Sequence, residues 1–383
     1  MARALYIHWP FCAKKCPYCD FNSHVRETVD VAAWQTALLA DMRVESEAAG
    51  GEVLTSIFFG GGTPSLMPPS LVETLLHEAE ALWGFDQAIE ITLEANPSSV
   101  EAASFAALAK AGINRVSLGV QSFDDDTLRW LGRLHGGQEA LKALETALAH
   151  FDRVSFDLIY ALPGQTPKQW SEQLDFALGI GTSHLSLYQL TIEPGTRFAT
   201  DVRRGLFEPL DDDAAADLFA LTQDVTEAAG LPAYETSNHA RRGEESRHNL
   251  TYWRYQDYAG IGPGAHGRRG GFATMRHKKP ENFLRAMSER GHGISEQRHL
   301  SNGEQISEAL LMGLRLAEGI DLAGLAARFD RSRSSLIDEP KFEHLQSLGM
   351  MWRKGSRIGV TRQGRPLLDA LLAEVVADHL VEA

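Results

Sequence analysis

Cysteine is scarce in this sequence, with three residues in a chain of 383. An odd number of thiols cannot all be paired in disulfides within one chain, and the first residues lack the pattern of a signal peptide. We therefore expect a reducing compartment, the cytoplasm. All three cysteines, Cys12, Cys16 and Cys19, fall in one short loop. That loop is the first candidate for chemistry.

Positive charge and long apolar runs are lacking as well. Lys and Arg number 37 against 51 Asp and Glu, so the net charge is -14. A nucleic-acid interface neutralises phosphates with clustered cations, so we expect no nucleic-acid partner. No apolar run is long enough to cross a bilayer, and we do not expect an integral membrane protein. The hydrophobic fraction of 44% is ordinary for a globular protein with a sizeable core.

Three thiolates at C-x3-C-x2-C spacing indicate an iron-sulfur cluster. A 4Fe-4S cluster has four iron atoms, so three cysteine ligands leave one iron open to a small molecule. A structural zinc site is the alternative, with His24 as a fourth ligand. Cysteines packed as small apolar side chains are a weaker alternative, because Lys14, Lys15 and Pro17 make the loop polar and irregular.

Strand-like and helix-like segments alternate over the first half of the chain, which predicts an α/β fold with a parallel sheet. Six such units fit an incomplete (β/α)6 barrel, and a doubly wound open sheet is the alternative that periodicity cannot exclude. In both folds ligands bind at the carboxyl ends of the strands. The predicted strands are residues 5–9, 56–59, 89–94, 115–119, 153–160 and 185–191, and the helices are 32–48, 69–82, 99–111, 124–131, 138–149 and 167–178.

Polar and glycine-rich residues cluster at the ends of these predicted strands. The glycines at 60–62 follow the second strand, and consecutive glycines let a ligand approach the backbone closely. Glu94, Gln121 and Asp157 follow or end three further strands, where a polar side chain either faces a ligand or costs stability. The Asn-Pro-Ser-Ser segment at 96–99 instead fits a turn and a helix N-cap.

These motifs resemble, in their order, the HemN/HemW family of radical S-adenosylmethionine (SAM) proteins. The family contains oxygen-independent coproporphyrinogen III oxidase and heme chaperones, and the resemblance covers nearly the whole chain. It rests on Tyr-Ile-His-Trp-Pro-Phe-Cys, Gly-Gly-Gly-Thr-Pro, Glu-Ala-Asn-Pro, Gly-Val-Gln-Ser-Phe and Asp-Leu-Ile-Tyr-Ala-Leu-Pro-Gly-Gln-Thr. It implies that the open iron binds SAM through its amino and carboxylate groups.

The resemblance also implies roles for individual residues. Cys12, Cys16 and Cys19 become the ligands of the 4Fe-4S cluster. The implied SAM-binding residues are Tyr6 near the cluster, Gly61 and Gly62 with Thr63 at the methionyl part, Glu94 and Arg133 at the amino and carboxylate ends, Gln121 and Asp157 at the ribose, and Ile159 at the adenine.

Histidines and aromatic residues interleave with glycines between residues 234 and 267, which fits a flat apolar ligand. An imidazole could ligate heme iron, and a well-packed polar core cluster is the alternative. The His-Asn-x-x-Tyr-Trp segment at 248–253 resembles the motif associated with heme binding in the family. We therefore predict His248 as the heme ligand, with His239 and His266 as weaker candidates.

We predict three parts in the chain: a radical SAM barrel at 1–200, a barrel extension with the His-Asn-x-x-Tyr-Trp segment at 201–300, and a HemN-like domain at 301–383. Helices at 304–316, 322–329 and 333–348, a hairpin at 351–360 and a last helix to about 381 suggest a winged-helix-like α+β unit. The acidic charge of the chain disfavours DNA binding. We expect a lid or docking surface for the barrel.

Within the family the sequence favours the heme chaperone. The oxidase has a further cysteine where this chain has Phe21, and a long segment before the first strand where this chain has residues 1–4. We predict a protein that binds heme and a SAM-ligated 4Fe-4S cluster, receives electrons from a flavodoxin or ferredoxin, and delivers heme to heme-accepting proteins. The alternative is the oxidase, which decarboxylates porphyrin propionates. An RNA-modifying radical SAM enzyme would need a basic face, and the strand-end polar residues oppose a purely structural cluster.

Overall fold

The computed structural model of the chain describes residues 3–50 and 53–376. The strands are β1 (Ala4–Trp9), β2 (Phe11–Cys12), β3 (His24–Val25), β4 (Leu54–Gly61), β5 (Phe85–Ala95), β6 (Arg115–Gln121), β7 (Arg153–Tyr160), β8 (His184–Gln189), β9 (Asn238–Ala240), β10 (Tyr258–Ile261), β11 (His266–Arg269), β12 (Phe272–Arg276), β13 (Ile294–His299), β14 (Ile320–Asp321), β15 (Met351–Lys354) and β16 (Arg357–Val360). The helices are α1 (Val31–Ala49), α2 (Pro69–Trp83), α3 (Ser99–Ala102), α4 (Phe105–Lys110), α5 (Asp125–Trp130), α6 (Gly137–His150), α7 (Pro167–Gly179), α8 (Arg197–Arg203), α9 (Asp212–Ala228), α10 (Arg247–Trp253), α11 (Pro280–Arg290), α12 (Asn302–Gly313), α13 (Leu322–Phe329), α14 (Glu339–Ser347) and α15 (Leu368–Val375).

The central sheet has the strand order β13-β12-β11-β10-β1-β4-β5-β6-β7-β8-β9. From β1 to β8 the neighbours are parallel and follow the order of the chain. This is the arrangement of six βα units in an incomplete barrel, without the reversal of strand order in a doubly wound sheet. The sheet is mixed and does not close, because β11, β12 and β13 are antiparallel at one end and β9 is antiparallel at the other. The predicted fold class is confirmed.

The two faces of the parallel strands differ in chemistry. Side chains that face the helices are apolar and fully buried, among them Leu5, Ile57 and Leu93. The opposite face carries buried polar side chains such as Ser56 and Arg115, where a fully closed barrel normally packs branched aliphatic residues. A polar interior therefore leads toward the carboxyl ends of the strands.

Two predicted helices are interrupted in the structure. The helix predicted at 99–111 is divided between α3 and α4, and the one predicted at 333–348 begins with a 3-10 turn, Arg333–Ser335, before α14. Pro340 lies in the first turn of α14, where its missing N–H is tolerated but the helix cannot extend back through it. The predicted end of the last helix near residue 381 lies outside the described residues. The other bounds agree within a few residues.

The C-terminal part has its own apolar core, with α12 to α15 around a three-stranded sheet of order β14-β16-β15. It also contacts the barrel, because Arg362 Nη1 lies 3.5 Å from Glu227 Oε2 on α9 and Arg254 Nε lies 2.9 Å from Glu318 Oε1. Apart from the later start of α14 and the undescribed end of the last helix, the helices and the hairpin are those predicted. The domain boundaries at 200 and 300 stay predictions. No helix in the described part of the chain has the length and apolar character to span a membrane.

A buried ionic network fixes the sheet extension to α1. Arg276 Nε lies 3.3 Å from Asp41 Oδ2, and Arg276 Nη2 lies 2.5 Å from Glu45 Oε2. Arg269 Nε lies 2.6 Å from the other oxygen of Glu45. All four side chains are buried, so each charge depends on its partners. The network holds β11 and β12 in one position against the barrel.

Candidate functional site

A cavity of about 1330 Å³ lies at the carboxyl ends of the parallel strands. Its walls come from the cysteine loop, the glycine-rich loop after β4, the ends of β5 to β8, and the C-terminal domain. The predicted site residues that line it are Cys12, Cys16, Cys19, Gly61, Gly62, Thr63, Glu94, Gln121, Arg133, Asp157 and Ile159. The structure therefore brings together most of the residues that the sequence singled out.

Each of the three cysteine sulfurs has a polar neighbour from a different side chain. The contacts are Thr63 Oγ1 donating to Cys12 Sγ (3.4 Å), Arg133 Nη1 donating to Cys16 Sγ (3.5 Å), and Ser23 Oγ lying 3.9 Å from Cys19 Sγ. Burial raises the pKa of the Cys12 and Cys19 thiols, and a bound metal would hold them as thiolates. Hydrogen bonds to sulfur tune the potential of an iron-sulfur cluster.

The three thiols do not converge on one point. Within residues 3–50 and 53–376, no group of three or more His, Cys, Asp or Glu side chains is placed to hold a single metal ion, as a zinc site requires. In a 4Fe-4S cluster each thiolate binds its own iron. His24, the fourth ligand of the zinc alternative, has its Nε2 3.3 Å from Asn22 Oδ1. This soft donor set fits the predicted cluster.

The cysteine loop is positioned by a side chain that the sequence analysis did not identify. Asn22 Nδ2 donates to the carbonyls of Pro263 and Lys278, each at 2.9 Å. The carbonyl of Asn22 lies 2.9 Å from His8 Nε2 on β1. Asn22 therefore ties the loop both to the first strand and to the segment that precedes α11.

The glycine-rich loop packs too closely for any side chain. Gly61 has φ of +112°, and a Cβ there would lie 2.6 Å from His8 Cε1. A Cβ on Gly62 would lie 2.6 Å from the carbonyl oxygen of Phe11. The backbone N–H of Gly61 donates to Glu94 Oε2 at 3.2 Å. Glycine is needed here because the backbone itself forms the cavity wall and orients Glu94.

Two carboxyl groups of the cavity lining, Glu94 on β5 and Asp157 on β7, have raised pKa values. Burial raises the pKa of Glu94 to about 8, and the nearby charge of Asp157 adds to the shift. Burial also raises the pKa of Asp157 to about 6, while Ser117 Oγ donates to Asp157 Oδ1 at 3.3 Å. Such groups favour a ligand that supplies cationic or hydroxyl donors.

Arg133 is half-buried beside the cysteine loop, and one of its donors has no partner. Its Nη2 donates to Asn96 Oδ1 (2.6 Å) and to the carbonyl of Gly119 (2.7 Å). Its Nε is buried without a hydrogen-bond partner. A buried N–H without a partner is rare, and a carboxylate in the cavity would satisfy it. This orphaned donor fits the predicted site for the SAM carboxylate.

The expectation for Asn96 was wrong, and that for Ser98 was right. Ser98 caps α3 by accepting from the backbone N–H of Glu101 at 3.3 Å. Asn96 caps no helix. It accepts from Arg133 and donates to Thr63 Oγ1 at 3.1 Å, so it holds two site residues in place. Its position two residues after Glu94 in the same strand-end turn was the available signal.

Gln121 adopts a backbone conformation that is unusual for a residue other than glycine. Its φ is +68°, and the register of β6 against β7 shifts between Leu118 and Gln121. Strained positions of this kind concentrate at functional sites. The neighbouring Gly119 leaves room, because a Cβ there would lie 2.9 Å from Gln121 Nε2.

Tyr6 and His248 do not line the cavity. The Tyr6 hydroxyl lies 2.9 Å from His8 Nδ1, and its ring packs against Phe58. His248 is 5% exposed, with its ring 5.0 Å from that of Phe58 and its Nδ1 3.3 Å from Ser56 Oγ. Both side chains therefore lie in the interior below the cavity.

The two weaker histidine candidates are also outside the cavity lining. His239 is buried on β9, and His266 is exposed at the start of β11. Burial lowers the pKa of His248 to about 4 and that of His239 to about 3. Neutral imidazoles can ligate iron, but neither ring faces the space occupied by the predicted cluster and SAM.

Comparisons with known proteins agree along the chain. The Radical SAM superfamily matches residues 6–177 and the HemN C-terminal domain matches residues 300–367. Radical S-adenosyl methionine domain-containing protein 1, mitochondrial, from Bos taurus is 40% identical over 326 residues, covering 83% of this chain and 74% of the relative. Heme chaperone HemW from Haemophilus influenzae is 39% identical over 96% of each chain. The structure of the Escherichia coli coproporphyrinogen III oxidase HemN matches with a TM-score of 0.82 and 21% identity, covering 97% of this chain and 89% of that one. At this identity the likeness shows the fold.

Proposed function

Because the chain belongs to the radical SAM superfamily, in the family of the heme chaperone HemW, we propose that it binds heme and delivers it to an acceptor protein. The family implies a 4Fe-4S cluster and SAM as cofactors. The observation that carries the proposal is the likeness to heme chaperones over nearly the whole chain, combined with three thiols and an orphaned guanidinium donor in one cavity.

The cavity residues have distinct tasks in this proposal. Cys12, Cys16 and Cys19 hold the cluster, which supplies an open iron for SAM and one electron for its cleavage. The remaining residues bind SAM: Glu94 accepts from its amino group, Arg133 Nε donates to its carboxylate, Gln121 and Asp157 bind the ribose hydroxyls, and Ile159 contacts the adenine. Gly61, Gly62 and Thr63 shape the wall around the methionyl part, and Tyr6 supports that wall from below.

The oxidase alternative is tested by turnover. Protein reconstituted without oxygen is given coproporphyrinogen III, SAM and a strong reductant, and protoporphyrinogen is measured. We expect none above background, together with saturable hemin binding and transfer of hemin to an apo heme protein. Steady formation of protoporphyrinogen would overturn the choice of carrier. Absence of hemin binding would remove the proposed function itself.

His248 remains the proposed axial ligand of the heme iron. Its ring is covered by Phe58, so ligation requires that this stack opens, and slow binding is expected. His248→Ala should weaken hemin affinity about tenfold, a typical cost for one lost strong interaction, and should alter the Soret band. His77→Ala is the matched control, because it removes an exposed histidine on α2 that is not a candidate ligand. A Soret titration that is identical in wild type and His248→Ala would place the ligand elsewhere.

A further inference from the structure

The C-terminal domain does more than cover the barrel, because it forms part of the cavity wall. The segment from Arg365 to the start of α15 lines the cavity, together with Arg315 from the end of α12. Arg315 Nη2 donates to Asp369 Oδ1 at 2.9 Å, so its charge is paired within the domain. Arg365 has no such ion pair with a described residue.

Arg365 is a half-buried guanidinium with unused donors. Its Nη1 donates to the carbonyl of Glu235 at 3.1 Å, and no carboxylate among the described residues forms an ion pair with it. A guanidinium has five N–H donors. In the nearby Glu235 carboxylate, Oε1 accepts from Asn238 Nδ2 and from the backbone N–H of Ser237. Burial lowers the pKa of Arg365, which reflects a cation short of compensation.

A second group at the same place also lacks a partner. Thr236 follows Glu235, lines the same cavity, and has a buried Oγ1 with no hydrogen-bond partner. Buried hydroxyls are normally satisfied by protein, water or ligand. Thr236 and Arg365 therefore offer an O–H and several N–H donors to one acceptor in the cavity.

The other cationic side chains that line the cavity are less suited to bind an anionic group of a ligand there. The Nη atoms of Arg133 donate to Cys16, Asn96 and Gly119, and Lys14 and Lys15 are exposed on the cysteine loop. Around the cavity, apolar side chains are more than half exposed, namely Phe21, Val100, Leu134 and Leu367. An apolar rim with a half-buried cation suits a large apolar ligand that carries an anionic group.

We propose that Arg365 and Thr236 form the receptor for a carboxylate side chain of the bound tetrapyrrole. This assignment rests on the proposed function and adds the group by which the ligand is selected. Arg365 donates N–H bonds to one or both carboxylate oxygens, and Thr236 Oγ1 donates a further bond. The C-terminal domain thus distinguishes acidic tetrapyrroles from their neutral analogues.

Hemin and hemin dimethyl ester test this inference, because they differ only at the two propionates, which are anionic acceptors in hemin and neutral methyl esters in its analogue. Both are titrated into the reconstituted wild-type protein and followed by their Soret bands. Wild type should prefer hemin about tenfold or more, the usual effect of a charge-assisted hydrogen bond. Arg365→Gln should remove most of this preference by weakening hemin binding and leaving the ester unchanged, and Thr236→Val should remove a smaller part.

Arg362→Gln is the matched control. Arg362 also ties the C-terminal domain to α9, through Asp224 and Glu227, but it does not line the cavity, so the preference should stay at its wild-type value. Equal affinity of wild type for the two ligands, or an Arg365→Gln protein that keeps the full preference, overturns the inference and leaves the chaperone proposal standing. If Arg365→Gln fails to fold, an undiminished preference in Thr236→Val overturns it. Failure of wild type to bind either ligand removes the function itself.

Discussion

Replacing Cys12 and Cys16 together by alanine is expected to remove nearly all bound iron and acid-labile sulfide from protein reconstituted without oxygen. Only Cys19 would remain, and a single thiolate cannot hold a 4Fe-4S cluster whose protein ligands are thiolates. The brown colour and its broad visible absorption should disappear. Iron and sulfide analysis of the purified variant gives the answer directly.

Phe21→Ala is the control for this experiment, because it changes the same loop without removing a sulfur. It should retain the iron and sulfide of the wild type. A double cysteine variant with full iron and sulfide content would refute the ligand assignment. Stoichiometric zinc in the wild-type protein, without sulfide, would instead support the zinc alternative.

Replacing Glu94 by glutamine is expected to weaken SAM binding to the reconstituted protein by about tenfold to a hundredfold, the range for a lost charge-assisted hydrogen bond. The pH dependence should change as well. The pKa of Glu94 is raised to about 8 in the free site, so SAM binding releases its proton near neutral pH. If the amino group of SAM binds the open iron, it would also have to lose its ammonium proton, and α-amino groups titrate at about 7.7–8.0.

The affinity for SAM should therefore depend on pH. Affinity should rise from about pH 6.5 to about pH 8, because SAM binds the deprotonated forms, and two protons should be released in the wild type. Glu94→Gln should release about one proton fewer. Equilibrium dialysis across this pH range measures both effects, and Glu193→Gln, which removes another carboxylate of the cavity lining, should behave as the wild type. Unchanged affinity and proton release in Glu94→Gln would exclude Glu94 from the SAM site.

The alternation of segments was enough to predict a parallel α/β sheet with a site at the carboxyl ends of its strands, although it did not distinguish an incomplete barrel from a doubly wound sheet. Parallel strands bring their carboxyl ends to one edge, so residues that are far apart in sequence, such as Cys12, Glu94 and Asp157, could be assigned to one cavity. The start of α14 close to Pro340 was also indicated by the sequence, because a proline is tolerated only in the first turn of a helix. The helix-like residues before and after Pro340 led to the prediction of one continuous helix.

Contacts between distant segments could not be predicted. Nothing near Asn22 in the sequence indicates that it binds the backbone at Pro263 and Lys278, and nothing near Arg365 indicates that it reaches Glu235. The His-Asn-x-x-Tyr-Trp motif indicates heme binding but does not indicate how far its histidine is buried. His248 is buried by tertiary packing against Phe58. Asn96 was misassigned because Asn-Pro-Ser-Ser is typical of a turn, whatever its side chain contacts.

The attachment of the cysteine loop through Asn22 bears on when the protein can acquire its metal. The loop is synthesised before its anchoring carbonyls, which lie 241 and 256 residues further along the chain than Asn22. β1 likewise cannot complete its pairing in the sheet until β10, its second neighbour, has been synthesised. A nascent chain shorter than about Lys278 has three thiols but no fixed place for them. We therefore expect that a truncated translation product ending before Lys278 retains iron and sulfide poorly.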